Sequence, residues 1–265
     1  MTTTTFIGGG MMGEAILSGM LAAGTAAEDI VVVEKLAERA AFLVDTYGIR
    51  TAGLEEGAAA ADFVIVAVKP QGFDDTLRAL QSHLRSDVVV ISIAAGKTLA
   101  TMERLLPGTH CIRVMPNTPA LVGAGMSAFS RGSLTTPEEL QVAMDMLATV
   151  GRVVEIPESQ QDIMVAMHGS GPAFYYYVME SFIEGGVALG LDREIAYELA
   201  LQTFIGSAEL IKRTGSTPEQ LRRNVTSPGG TTAAAIAKFE ELGLREVLIA
   251  GQTACRDRGA ELSAI

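Results

Sequence analysis

The sequence predicts an α/β fold in two parts: a doubly wound, mostly parallel sheet, followed by an all-helical C-terminal dimerisation domain. Three observations predict it. Short β-branched runs alternate with Ala/Leu/Glu-rich segments through residue 156, and alternation of this kind means a parallel sheet covered on both faces. A glycine-rich turn joins the first strand to the first helix. After residue 156 the strand signals stop, and long Ala-, Gly-, Leu- and Met-rich segments take over. A chain of 265 residues has room for about two domains, here expected at 1–157 and 158–265.

Taken in order, residues 4–7, 30–34, 63–68, 88–93 and 111–115 are short, apolar and bounded by Gly, Pro or polar residues, as buried strands are. Helical segments at 12–23, 36–47, 73–83 and 99–106 lie between them. Strands near 126–130 and 152–156 flank a helix at 137–149 and extend the sheet. The second half predicts helices at 172–190, 192–213, 218–224, 231–242 and 244–262, with Asp192 as an N-cap. Residues 173–191 are apolar nearly all round, which is the pattern of a helix buried on every side. A small helical domain cannot hide several such helices, so a second copy of the chain is expected to cover them.

Composition narrows the function. Hydrophobic residues at 48% and charged residues at 19% make a core-forming chain. The net charge of −11, without a Lys/Arg block, argues against nucleic-acid partners and anionic lipid surfaces. Cys111 and Cys255 form no CxxC or Cys/His cluster, so no metal site is expected, and both are read as free thiols of a reducing compartment. No apolar run reaches the roughly 18 residues of a membrane span. The opening MTTTTFIGGG lacks a signal-peptide pattern, and the expected location is cytoplasmic.

Gly8, Gly10 and Gly13, with Met11 and Met12 between the last two, fit G-x-G-x-x-G between a strand and a helix. That is the context of a Rossmann-type dinucleotide site: Gly8 for the tight turn, Gly10 for approach of the pyrophosphate, Gly13 for close helix–strand packing. Glu34 ends the second strand, about 20 residues on, where an acid bonds the adenosine ribose. Lys35 and Arg39 follow; either meets a 2′-phosphate or opens a solvated helix, so NADPH and NADH both stay open. Further along, Val68-Lys69-Pro70, Ala94-Ala95-Gly96 and Met115-Pro116-Asn117-Thr118-Pro119 stand at strand ends, where ligands of this fold collect. Lys69 is read as touching ribose or a carboxylate, or as a surface lysine. Ala95 lets a cofactor lie close, and the Asn117 amide is expected to orient its nicotinamide end.

No histidine stands out as an acid–base partner. His83 and His110 read as structural or solvated, and His168 sits at the domain junction. A carbonyl reductase needs a positioned proton donor. A C=N reductase has a lighter need, because an iminium is already electrophilic and hydride addition neutralises it. Two helix starts suit a small anion: Ser170-Gly171-Pro172-Ala173, and the run from Thr226 through Ser227, Pro228, Gly229, Gly230, Thr231 and Thr232. Ordinary helix capping explains their composition equally well.

The segment from Asn224 to Thr232 resembles the C-terminal signature of pyrroline-5-carboxylate reductases, and the landmarks above match that family in order along nearly the whole chain. The resemblance implies hydride transfer from NADPH or NADH to the C=N carbon of 1-pyrroline-5-carboxylate, giving L-proline. Carried over by position, Thr232 assists at the ring nitrogen, and Gly230 and Thr231 hold the carboxylate. Glu158 lies near the substrate amine and Asn224 near the cofactor. Glu34 departs from the small polar residue or cation common in the family. The resemblance also implies homodimers through interleaved helical domains, sometimes five to a ring, with each active site combining two subunits. A 3-hydroxyacid dehydrogenase of similar layout would carry a lysine on the long helix after the junction; residues 173–191 contain none. A non-catalytic dinucleotide sensor is the other alternative, disfavoured by the pairing of a cofactor half with a carboxylate-binding half.

Overall fold

The computed structural model describes residues 2–263. The chain forms two compact units, one of Met1–Ser170 with Cys255–Ile265 and one of Gly171–Ala254. The first holds an eight-stranded sheet in the order β3-β2-β1-β4-β5-β6-β7-β8. Its strands are β1 (Thr4–Ile7), β2 (Ile30–Val33), β3 (Arg50–Thr51), β4 (Phe63–Val66), β5 (Val89–Ser92), β6 (His110–Met115), β7 (Gly125–Arg131) and β8 (Gly151–Glu155). All neighbours are parallel except β6 and β7. The helices of this unit are α1 (Met11–Ala22), α2 (Ala37–Tyr47), α3 (Leu54–Ala60), α4 (Phe73–Gln81), α5 (Leu99–Leu105), α6 (Pro137–Ala148) and the short α7 (Gln161–Met164).

Successive strand residues feed opposite faces of the sheet, as the strand period of two requires. Phe6, Ile65, Ile91 and Ile112 enter one core with Leu17 of α1 and Leu147 of α6. Ile7, Val64, Val66 and Val90 enter the other with Leu77 of α4 and Met102 of α5. Both faces are apolar, which is why these strands read as continuous hydrophobic runs. The strand β3 and helix α3 went unanticipated. β3 is two exposed residues, too short for a pattern, and Leu54–Ala60 has neither a polar cap nor a clear apolar stripe.

The first unit continues past residue 157 because the next segment is bound to the sheet. Gln161 is fully buried and donates from Nε2 to the Ala128 carbonyl at 3.3 Å and to Ser130 Oγ at 3.0 Å. A π-helical turn, Val165–Gly169, then leads to Ser170, whose N–H bonds the Val165 carbonyl at 2.8 Å.

The second unit contains α8 (Gly171–Ala188), α9 (Arg193–Thr214), α10 (Pro218–Asn224), α11 (Thr231–Glu241) and most of α12 (Leu244–Ser263). Asp192 caps α9 as expected, accepting from Glu194 N at 2.9 Å. Within one chain the apolar helices stay uncovered: Tyr177 is 71% exposed and Leu189 90%. An apolar surface of this extent marks an association face. Among the described residues no helix is long and apolar enough to cross a membrane, and no acidic, His or Cys group is arranged for a metal ion.

Candidate active site

The chain reverses its direction of winding between β1 and β4, and the loops after these strands face each other across the switch point. Gly8 adopts φ +100°, and a Cβ there would lie 2.8 Å from the Ala67 carbonyl oxygen. A Cβ on Gly13 would lie 2.8 Å from the Gly8 carbonyl oxygen, so α1 packs directly on the turn. Gly10, by contrast, would meet nothing within 4 Å. It caps α1 in extended geometry without a side-chain cap, which leaves the first N–H groups of the helix, including those of Met11 and Met12, for a ligand. An open face above uncapped helical donors fits a pyrophosphate. Gly9, a free position in the motif, is glycine for its own reason: a Cβ would lie 2.5 Å from Leu43 Cδ1.

Glu34 follows β2 and folds back onto this turn. Its Oε2 accepts the Gly9 N–H at 2.8 Å and its Oε1 the Leu36 N–H at 3.0 Å. Burial favours its neutral form, but the N–H groups of Leu36, Gly9 and Lys35 and the charge of Arg39 outweigh it, so its pKa falls below the ordinary glutamate value. Arg39 is not a free cation. Its Nε donates to the Gly9 carbonyl at 2.6 Å and its Nη2 pairs with Glu14 Oε2. Tyr47 Oη donates to the other Glu14 oxygen at 2.7 Å. Lys35 is exposed.

Beyond β4, Val68 is half-buried and Lys69 and Pro70 are exposed. A cavity of about 500 Å³ opens at the ends of β4 and β5, lined by Pro70, Gln71, Ala95, Gly96, Lys97 and Asp162. Lys97 was not anticipated, although the strand-end argument that selected Lys69 applies to it equally. Its Nζ donates to Asp74 at 2.9 Å.

Asn117 joins two segments of the first unit. Its Oδ1 accepts the Met126 N–H at 2.8 Å and its Nδ2 donates to the His168 carbonyl at 3.2 Å. The amide thus fastens β7 and the π-turn, and these two bonds use one of its two N–H groups and one of its two oxygen lone pairs. His168 donates from Nε2 to the Met115 carbonyl at 2.8 Å, which leaves Nδ1 as a buried acceptor without a partner among the described residues. Glu158 is also engaged: its Oε1 accepts the Leu99 N–H at 2.6 Å and Arg113 Nη1 at 3.1 Å. Arg113, 5% exposed, reaches Asp162 at 3.4 Å as well. No sequence pattern announced that buried cation.

In the second unit, Gly229 takes φ +72° and Gly230 is the N-cap of α11 without a side-chain cap. A Cβ on Gly230 would lie 2.8 Å from Ser227 Oγ. Thr231 and Thr232 are therefore the first helical residues at an end whose backbone donors are free to hold a carboxylate. Thr232 is half-buried and Thr231 exposed. Asn224 accepts from Gln220 at 2.8 Å. Ser170, Gly171 and Pro172 stand where the π-turn passes into α8, Gly171 being buried.

A doubly wound sheet with this glycine turn, its acid and its strand-end cavity defines a nicotinamide-dinucleotide oxidoreductase. Comparison agrees: residues 3–96 match the NADP oxidoreductase, coenzyme F420-dependent, family model, and residues 158–262 match pyrroline-5-carboxylate reductase dimerisation. The chain belongs to the pyrroline-5-carboxylate reductase family. It is 43% identical to the Corynebacterium melassecola pyrroline-5-carboxylate reductase over 99% of both chains. The Coxiella burnetii enzyme's structure superposes with TM-score 0.94 at 35% identity, covering 99% of this chain and 98% of that one. The Plasmodium falciparum enzyme with NADP bound gives 0.88 at 29% identity over 99% and 98%. The dimerisation match accords with the uncovered helices of the second unit.

Proposed function

We propose that this protein reduces the C=N bond of 1-pyrroline-5-carboxylate to give L-proline, the last step of proline biosynthesis. The observation that carries the reading is the α11 start: Gly230 without a side-chain cap, then Thr231 and Thr232, in a chain of this family. The nucleotide belongs mainly to residues 1–157, and substrate binding and self-association mainly to residues after 157.

NADPH or NADH supplies the hydride. The turn of Gly8, Gly10, Met11, Met12 and Gly13 holds its pyrophosphate, Glu34 and Lys35 border its adenosine ribose, and Val68, Lys69, Pro70 and Ala95 line its path. Asn224 is assigned to the cofactor and the Asn117 amide to its nicotinamide end, both on the sequence pattern.

The substrate carboxylate docks on the α11 N–H groups through Gly230 and Thr231, with Ser227 and Gly229 shaping the approach. Ser170, Gly171 and Pro172 bound the ring, and Glu158 contributes negative charge toward its nitrogen. The Thr232 hydroxyl holds that nitrogen and its proton. The iminium carbon gains the hydride and the nitrogen keeps its proton, so charge is neutralised without an oxyanion. The working assembly is a homodimer, or five dimers in a ring, in the cytoplasm.

Loss of reduced-nicotinamide absorbance with pyrroline-5-carboxylate, and proline as product, test the reading. No oxidation with either nucleotide overturns it. Light scattering reports the assembly.

A further inference from the structure

The adenosine end of the nucleotide site contains one acid and two cations in sequence, and the structure shows what each is doing. Glu34 accepts the Gly9 N–H on Oε2 and the Leu36 N–H on Oε1, and the Lys35 N–H also bonds its carboxylate. A carboxylate offers about four acceptor sites, so one is left for a ribose hydroxyl. Arg39 is held at two points, by the Gly9 carbonyl and by Glu14, and lies over the Phe42 ring at 5.1 Å. Its side chain is 26% exposed and that of Glu14 is 22%. Glu14 is itself fixed on its second oxygen by Tyr47.

Resting on the reductase reading above, we propose that this protein selects NADH over NADPH, and that Glu14 enforces the choice as a positioning residue by holding the Arg39 guanidinium on itself and on the Gly9 carbonyl. A phosphate on the ribose would bring up to two negative charges against Glu34, where a hydroxyl brings a donor. Relief would have to come from Lys35 or Arg39. Lys35 is a single hydrated ammonium. Arg39 is the bidentate phosphate partner, and Glu14 neutralises it where it stands. The two dinucleotides share every group except that phosphate, so the ratio of their affinities isolates this effect from any general change at the glycine turn.

Calorimetric titration with NADH and with NADPH tests the proposal without turnover. The wild type is expected to bind NADPH at least about tenfold more weakly than NADH, the scale of one unrelieved charge contact near a protein surface. Glu14→Gln, which keeps the shape and removes the charge, is expected to narrow that ratio about threefold or more, and adding Arg39→Gln to reopen it. Glu34→Ser narrows it independently, should Glu14 variants fold poorly. Equal binding of both nucleotides by the wild type overturns the proposal, as does a Glu14→Gln change that moves both affinities together. Failure to bind either nucleotide overturns the reductase reading instead.

Discussion

Glu158 Oε1 stands 2.6 Å from the Leu99 amide nitrogen, so an acid just after the last strand closes the N-terminus of α5, and Arg113 reaches the same oxygen at 3.1 Å. Glutamine can keep both hydrogen bonds and lose the charge. Glu158→Gln should therefore retain most of the wild-type Tm and raise the KM for pyrroline-5-carboxylate several-fold. Glu158→Ala should also cost about 2 kcal/mol of stability, because Arg113 is left buried with Asp162 alone. An unchanged KM in Glu158→Gln would reduce the residue to a brace.

Thr232 follows the N-terminal residue of an α11 start without a side-chain cap. Removing a hydroxyl that bonds the reacting nitrogen should lower kcat by about tenfold or more in Thr232→Ala. Thr231→Ala should change kcat little, since its backbone N–H remains. Steady-state kinetics at saturating nucleotide separates the two; equal kcat in wild type and Thr232→Ala refutes the assignment.

The glycines of the turn should fail differently. Gly8→Ala forces a Cβ to 2.8 Å from Ala67 oxygen at φ +100°, and is expected to destabilise by about 1–3 kcal/mol in urea melts. Gly10→Ala has room and an ordinary φ of −67°, so its melt should match wild type while dinucleotide affinity drops about tenfold. Normal NADH binding by Gly10→Ala would move the pyrophosphate elsewhere.

Acid should unlatch the adenosine end first. Burial opposes ionisation of Glu14 and Glu34, but hydrogen bonds and Arg39 prevail, so both folded values lie below 4.5. Carboxyls depressed in this way contribute stability that is fully present above 4.5 and is lost as pH falls through the folded values. Urea midpoints should fall on acidification less steeply in Glu14→Gln than in wild type. Parallel curves would remove Glu14 from the account.

Leu199 on α9 is 56% exposed within one chain, on a helix of the matched dimerisation segment. Leu199→Glu should shift the assembly toward monomer in light scattering, because association would bury an unpaired charge. The sheet unit should keep its melt. An unaltered mass would place the interface on another face.

Much of this was legible from residue order alone. Gly8 to Gly13 between β1 and α1, and Gly229 to Thr232 opening α11, are contiguous motifs whose geometry is local, and so are the strands that fill both cores. The antiparallel turn of β7 and the two-residue β3 were not legible, because pairing direction and edge strands leave no periodicity. Nor was the engagement of Asn117, whose amide meets His168, 51 residues away.

What the sequence determined by itself was the chemistry on offer: a dinucleotide turn, an acid at the ribose position, an anion-holding helix start and apolar helices needing cover. What only the tertiary structure decided was which polar groups remain available to a ligand. Arg39 reads as a free cation until Glu14, 25 residues earlier, is seen holding it, and the fastening of Asn117 to Met126 and His168 shows only in the folded chain. Local pattern sets which groups a segment carries, but long-range packing brings their partners, and a buried polar group takes the nearest partner the fold supplies.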